Sequence, residues 1–374
     1  MPATRRDGTG ILRADGGFVG ALRQSLEPTS DGVGGNHPRQ WTRPTRPVAA
    51  VTKAAMVRLE FDIALNYDVP APAHFLFNVG AAQTAHQQVV NERLDVNVSA
   101  VPAMLTEPGS GNRLFRLQAN CGTLQLRYRA VVDILHVLDD PRYVRESALD
   151  TLPPETIPFL LASRYCQSDR LTQMAHDLFG ALPPGYSRVE AIGDWVQGRT
   201  RFAPGASNTS TTALDTLNDQ QGVCRDFAHL MIAMCRALNV PARFVTGIDY
   251  GADPALGPTD FHAYVEAWLG ERWYLFDPTG ISPTTGLVRI GTGRDAADAS
   301  FCTMFGPVQS YAPLVSIRAI ENADLGLTLP QRTSLAVSTA GAGADLRHLR
   351  PRPGIPSVVL FPATAVRKPA RQYA

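Results

Sequence analysis

The sequence has almost no lysine, since Lys53 and Lys368 are the only two among its 374 residues and arginine supplies the rest of its positive side chains. Together with abundant alanine, glycine and proline, this bias is typical of a GC-rich genome rather than of a binding surface. The formal net charge is only +1 at pH 7. Such a balance gives no electrostatic attraction to nucleic acid or to an anionic membrane, so neither partner is predicted.

Cysteine is also scarce, and the five cysteines form neither a disulfide framework nor a pair with metal-ligand spacing. We therefore predict reduced thiols, no metal and no cofactor, in a cytoplasmic protein. No apolar run reaches the length of a transmembrane helix. The N-terminus contains arginines but lacks the apolar segment of a secretory signal.

The chain is long enough for two domains, with 44% apolar and 18% charged residues. Residues 1–55 lack periodicity and are predicted to be a disordered extension, or an over-long start if translation begins at Met56. Residues 56–150 contain short alternating segments, typical of a small β-sandwich-like domain. The proline pair at 153–154 marks the boundary to a mixed α+β domain over residues 151–320. Residues 321–374 are predicted to be a mostly disordered tail.

A glycine-to-cysteine turn at residues 222–224 precedes the strongest helical pattern of the chain. Apolar side chains recur there at the spacing of one helix face, namely Phe227, Leu230, Met231, Met234, Cys235 and Leu238. This pattern predicts a buried helix with Cys224 in its first turn. The helix dipole and the unpaired amides of that turn stabilise a thiolate, and the amide of Cys224 can donate to an oxyanion.

A predicted hairpin brings a histidine and an aspartate together. If residues 270–271 form a two-residue turn, paired positions sum to 541 and Asp277 lies opposite Tyr264. His262 shares the face of Tyr264, so Asp277 is its diagonal neighbour, at roughly 7–8 Å between backbones. The aspartate can then orient the imidazole towards Cys224. A change of one residue in the turn would place the two side chains on opposite faces.

Each of these polar residues also has a plainer, structural interpretation. A lone Cys224 would be taken for a buried thiol, but its place at a helix start, with His262 and Asp277 at matching positions, favours catalysis. His229 lies roughly 500° around the helix from Cys224, so it projects away and is predicted to be structural. Asp226 is predicted to be a helix-start carboxylate with a backbone or arginine partner. A metal site made of these histidines, the cysteine and Asp277 is disfavoured because no ligands are closely spaced.

Four segments resemble, in order and spacing, the bacterial and archaeal members of the transglutaminase-like superfamily. They are residues 222–228 (GVCRDFA), 237–243 (ALNVPAR), 262–266 (HAYVE) and 273–279 (WYLFDPT). The resemblance implies a papain-like core, in which a helix that starts at the catalytic cysteine packs on an antiparallel sheet. It implies Cys224 as nucleophile, His262 as base and Asp277 as orienter. It also implies an oxyanion partner at Gln220 or Gln221.

The sequence departs from the family pattern at one position, and the resemblance also extends to the region before the core. Tyr264 stands where the family often has tryptophan, which leaves the three catalytic candidates untouched. The β-rich residues 56–150 resemble the regions that often precede the core in bacterial members.

The activity that the resemblance implies is thiol-dependent acyl transfer on a peptide or amide substrate. Hydrolysis by a peptidase or amidase is favoured, because the sequence lacks the calcium-site signals and additional β-domains associated with animal crosslinking enzymes. Protein-glutamine gamma-glutamyltransferase (crosslinking) activity is the first alternative. A non-catalytic peptide-binding module on the same fold is the second, and the presence of all three catalytic candidates argues against it.

Overall fold

The structure is a computed structural model that describes residues 53–98, 102–253 and 259–341 of the chain. The predictions made for residues 1–52 and 342–374 lie outside the described residues. All described residues fall within one compact unit that spans Val48–Ala374. No helix among them is long and apolar enough to cross a membrane.

Strands make up most of the described structure. In chain order they are β1 (Lys53–Val69), β2 (Ala73–Phe77), β3 (Gln87–Val96), β4 (Ala103–Thr106), β5 (Arg113–Ala119), β6 (Gly122–Asp139), β7 (Arg201–Phe202), β8 (Gln221–Gly222), β9 (Ala242–Asp249), β10 (Phe261–Leu269), β11 (Arg272–Phe276), β12 (Leu287–Gly293), β13 (Cys302–Phe305), β14 (Gln309–Ser310), β15 (Leu314–Ile320) and β16 (Ala336–Gly341). Ten of them form one antiparallel sheet in the order β12-β9-β10-β11-β16-β6-β1-β14, with β15 paired to β1 and β3 paired to β6. A second sheet has the order β13-β2-β5-β4, and β7 pairs with β8 in parallel.

The α-helices lie between the two strand-rich regions of the sequence. They are α1 (Thr172–Phe179), α2 (Tyr186–Arg199), α3 (Ala213–Asp219) and α4 (Cys224–Ala237). Helix α4 is the central one, because it packs on β9 and β10 and is surrounded by the other three helices. Its residues 226–237 are all buried. The predicted helix with the cysteine in its first turn is therefore confirmed, as is the mixed α+β fold class.

The N-terminal strands form a two-layered β structure. β1 and β6 pair along their whole lengths, and alternate residues of β1 are buried against aromatic side chains of β2 and β5. The opposite face of β1 and β6 carries cross-strand ion pairs such as Arg127–Asp62 and Arg58–Asp133. This apolar/charged alternation is the period-two pattern that the sequence showed.

Strand pairing does not follow the predicted division at residues 150 and 320. β13, β14 and β15, predicted as part of the second domain, pair with β2 and β1 of the first. β16, predicted as part of a disordered tail, lies between β11 and β6. Within the described part of the predicted tail, residues 336–341 are therefore a strand of the large sheet. Its signal was weak because residues 336–341 (AVSTAG) are small, which suits a strand buried within a sheet but leaves little hydrophobic alternation.

One buried arginine ties the end of α4 to the start of β9 and to two loops, without an ion-pair partner among the described residues. Arg236 donates to the carbonyl oxygens of Ala242 at 2.8 Å and Leu161 at 3.0 Å, and to Ser163 Oγ at 3.1 Å. It also donates to the carbonyl oxygen of Arg294. A buried acceptor that loses its donor destabilises the fold by the full free energy of its desolvation.

We expect Arg236→Met to lower the free energy of unfolding by about 3 kcal/mol, because three carbonyl groups lose their donor at once. Urea denaturation of wild type and variant at pH 7 measures the difference. Arg142→Met is the matched control, since Arg142 is exposed and its ion pair is with the nearby Asp140, and it should leave the urea midpoint unchanged. Equal midpoints for Arg236→Met and wild type would contradict the prediction.

Candidate active site

The thiol of Cys224 lies where the start of α4 meets the start of β10. Cys224 is the first helical residue and is half-buried. Its Sγ is 3.9 Å from the carbonyl oxygen of Phe261, the first residue of β10. Because α4 packs on β10, the helix start and the next residue of the strand, His262, come together.

The hairpin of β10 and β11 has the predicted register. Leu269 pairs with Arg272, and the pairing continues to Val265 opposite Phe276. Asp277 follows β11 directly, and its Oδ1 lies 3.2 Å from Nε2 of His262. The side chains of His262 and Asp277 are only 5% and 2% exposed. The structure therefore brings together the histidine and the aspartate that the sequence singled out.

The contact between His262 and Asp277 combines an ion pair with a hydrogen bond of poor geometry, since Nε2 has no well-aligned partner among the described residues. Burial lowers the pKa of His262, but the charge of Asp277 and hydrogen bonds with Asp277 and Cys224 outweigh it and hold the pKa well above 6.5. With Nε2 towards Asp277, Nδ1 is the nitrogen left for the thiol.

Asp277 is held by the loop that follows it. Burial raises the pKa of its carboxyl, but the charge of His262 and hydrogen bonds from His262 and Thr279 bring it below 3.8. Thr279 donates to Oδ1 twice, from its backbone nitrogen at 3.0 Å and from Oγ1 at 2.6 Å. Ser282 donates its backbone N–H to Oδ2 at 3.4 Å. Sequence reasoning missed both residues, although a threonine two positions after an aspartate is a known turn signal.

Gln197 on α2 is hydrogen-bonded to this loop. It donates from Nε2 to the carbonyl oxygen of Thr279 at 3.0 Å. The next residue, Gly280, has φ +64, and a Cβ there would lie 2.0 Å from Nε2 of Gln197. The positive φ favours glycine at this position, and a side chain there would displace the amide of Gln197.

The start of α4 is organised by the carboxylate predicted for it. Asp226 accepts from the backbone nitrogen of Val223 at 2.8 Å and from Nη2 of Arg225 at 2.8 Å. Arg225 also donates to the carbonyl oxygen of Asn208 at 2.7 Å, which ties the polar loop before α3 to the helix start. A Cβ at Gly222 would lie 2.7 Å from Cβ of Asp226. The predicted role of Asp226 is confirmed.

The two glutamines predicted for the oxyanion lie at the end of α3 and the start of β8. Gln220 is exposed, with φ 53, just beyond α3. Gln221 accepts from Nη2 of Arg201 at 2.6 Å through its amide oxygen. No described hydrogen bond joins either side chain to Cys224 or His262, so their oxyanion role stays a prediction.

His229 is structural, as predicted. Its Nε2 accepts from the backbone nitrogen of Ala296 at 3.1 Å, and its ring stacks on Tyr165 with centroids 5.0 Å apart. Burial lowers its pKa to about 3, so the ring is neutral near pH 7. Cys235 lies in the core of α4, where burial raises its pKa to about 12. Within residues 53–98, 102–253 and 259–341, no group of three or more His, Cys, Asp or Glu side chains is placed to hold a metal ion.

A helix that starts at a half-buried thiol, packed on an antiparallel sheet that carries a His–Asp pair, defines a papain-like thiol fold. Residues 172–278 match the family described as the transglutaminase-like superfamily, and residues 57–154 match the family described as the bacterial transglutaminase N-terminal domain. The chain belongs to the transglutaminase-like superfamily. The first match contains all three residues of the predicted triad.

The chain is similar to one solved structure and to uncharacterised mycobacterial proteins. A crystal structure from Cytophaga hutchinsonii, described as a "Putative Cysteine Protease", superposes with a TM-score of 0.71 and 35% identity over 76% of this chain and 99% of that one. An uncharacterised protein of Mycobacterium leprae is 33% identical over 30% of this chain, and one of Mycobacterium tuberculosis 32% over 41%. The matched regions span 42% and 49% of those two relatives, so the chain covers less than half of each.

Proposed function

We propose that the protein catalyses thiol-dependent acyl transfer on a peptide or amide substrate, with Cys224 as nucleophile, His262 as base and then acid, and Asp277 as the group that orients His262. The observation that carries the proposal is the buried His262–Asp277 pair, 3.2 Å apart, at the strand end that contacts the Cys224 thiol. A histidine held protonated beside a thiol at a helix N-terminus favours the thiolate form of that thiol.

The proposed reaction has two steps, acylation of Cys224 and hydrolysis of the acyl-enzyme. Sγ of Cys224 attacks the substrate carbonyl carbon, the C–N bond breaks, and the amine leaves with the proton from His262. Water then attacks the acyl-enzyme, gives a proton back to His262 and releases the acid with free thiolate. During each attack the first-turn amide of Cys224 donates to the oxyanion.

Hydrolysis is the outcome that we favour. The relative from Cytophaga hutchinsonii, which is similar over almost its whole length and described with the words "Cysteine Protease", supports a peptidase or amidase. The family match supports the alternative, in which an amine resolves the same acyl-enzyme and crosslinks two proteins. A peptide-binding module without catalysis is the remaining alternative, and it needs no reactive Cys224.

The test is the rate of iodoacetamide alkylation against pH, with mass spectrometry to locate the label. An ordinary thiol is ionised to only about 0.3% at pH 6. We expect wild-type Cys224 to react fast and selectively at pH 6, and His262→Ala to slow that reaction about 100-fold, because the variant removes the cationic partner.

Two comparisons make the alkylation result specific. Cys121 is exposed and lies outside the site, so its labelling in the same samples should not change with His262→Ala. Slow labelling of Cys224, or a labelling rate that is the same in His262→Ala as in wild type, would rule out the catalytic proposal and leave the binding module. If the proposal holds, peptide, amide and amine-acceptor substrates then separate hydrolysis from crosslinking.

A further inference from the structure

A buried carboxylate outside the predicted triad contacts the loop that holds Asp277. Asp249, the last residue of β9, accepts a hydrogen bond from Oγ of Ser282. Asp249 and Ser282 are 7% and 3% exposed. Ser282 is the residue whose backbone N–H donates to Oδ2 of Asp277. A continuous chain of contacts therefore runs from Asp249 through Ser282 to Asp277 and His262.

The two oxygens of Asp277 are held differently. Oδ1, which contacts His262, also receives both hydrogen bonds from Thr279, a residue of the same tight turn. Among the described residues, Oδ2 receives one long contact of 3.4 Å from the Ser282 amide, five residues further along the chain. A contact over that separation depends on how Ser282 is held, and Asp249 is the residue that accepts its hydroxyl hydrogen bond.

The strand pairing connects this anchor to the catalytic histidine. On β9, Gly247 lies opposite His262, and Asp249 comes two residues later on the same strand. The other neighbour of β9 is β12, which pairs Asp249 with Leu287. Asp249 thus sits on a strand with partners on both sides. Through Ser282, the position of Asp277 is set relative to the strand pair that carries His262.

We propose that Asp249 is a positioning residue of the active site, which acts through Ser282 to hold the Asp277 carboxylate in the orientation that contacts His262. This inference rests on the proposed function of Cys224, His262 and Asp277. Residues that orient a catalytic side chain without touching the substrate commonly affect rates by about 10- to 100-fold when removed.

The test compares variants by the alkylation rate of Cys224 between pH 5 and 8. Asp249→Ala and Ser282→Ala should each slow alkylation at pH 6 about tenfold and shift the profile towards that of an ordinary thiol. The double variant should be no slower than either single one, because both remove the same contact. Asp249→Asn keeps an oxygen acceptor for Ser282 and should retain a rate within about twofold of wild type.

Ser300→Ala is the matched control, since the partly buried hydroxyl of Ser300 donates to the backbone carbonyl of Ala296 and has no described bond to Asp277. If Asp249→Ala does not fold, Ser282→Ala, which removes a single hydroxyl, decides the outcome. The inference is overturned if Ser282→Ala behaves like Ser300→Ala, if Asp249→Asn is as slow as Asp249→Ala, or if the two alanine effects multiply. In those cases His262→Ala still reports separately on the proposed function.

Discussion

Replacing Asp277 with asparagine is expected to slow acyl transfer by about 10³- to 10⁴-fold, with the fold intact. The amide has nearly the same shape but no charge, so burial becomes the dominant influence on His262 and its pKa falls from well above 6.5 to below that value. Near pH 7 the imidazolium is then lost. The measurement is kcat/KM on the best substrate from the screen, with the alkylation profile of Cys224 beside it.

The same variant has a signature in the pH dependence of stability. The lowered pKa of Asp277 gives stability that is present above its ordinary value of 3.8 and lost as pH falls through the folded value. The raised pKa of His262 gives stability that is complete below 6.5 and lost as pH rises through the folded value. The pair therefore stabilises most between these limits, and Asp277→Asn should lose most stability there.

Asp298→Asn is the control for the catalytic rate and the alkylation profile, because Asp298 is a surface carboxylate paired with Arg294. It should leave kcat/KM and the alkylation profile unchanged. A rate for Asp277→Asn within tenfold of wild type would show that the aspartate does not orient the catalytic histidine.

Replacing Glu266 with alanine is expected to lower the free energy of unfolding by about 3–5 kcal/mol. Glu266 lies on β10, on the same face as His262, and is fully buried. It pairs with Arg243 at 2.6 Å on one oxygen and with Arg289 on the other. Burial lowers the pKa of Arg243 to about 10 even with this partner present. Without the carboxylate, two guanidinium groups stay buried together with no countercharge.

Urea unfolding followed by tryptophan fluorescence measures this loss. Arg243 lies over the ring of Trp273 at 4.1 Å, so the signal reports on the same cluster. Glu60→Ala is the matched control: its pair with Arg318 is exposed, and its loss should cost under about 1 kcal/mol. Similar midpoints for the two variants would mean that the buried network contributes no more than a surface pair.

The parts of the site that local pattern determines were predictable from sequence. The apolar spacing after residue 226 fixed α4 and placed Cys224 at its start. The two-residue turn at 270–271 fixed the register and hence the shared face of His262 and Asp277. Both inferences need only a repeat length and a turn length.

The parts that depend on contacts distant in sequence were not predictable. Asp249 and Ser282 are 33 positions apart, and neither belongs to a motif that signals the other. The pairing of residues 302–320 with β1 and β2 also spans most of the described chain. Periodicity identifies such strands but carries no information about which partner they select.

The position of β16 has a consequence for how the protein is made. β16 joins β11 to β6 in the middle of the large sheet, yet it starts at Ala336, 60 positions after β11 ends at Phe276, and β6 is earlier still in the chain. While the chain is synthesised, β6 and β11 each present unpaired amides and carbonyls until residues 336–341 leave the ribosome. Pairing of β16 with β6 and β11 is therefore a late folding step that brings together residues distant in sequence. A nascent or truncated chain that ends before Ala336 has two open edges available for pairing with other chains.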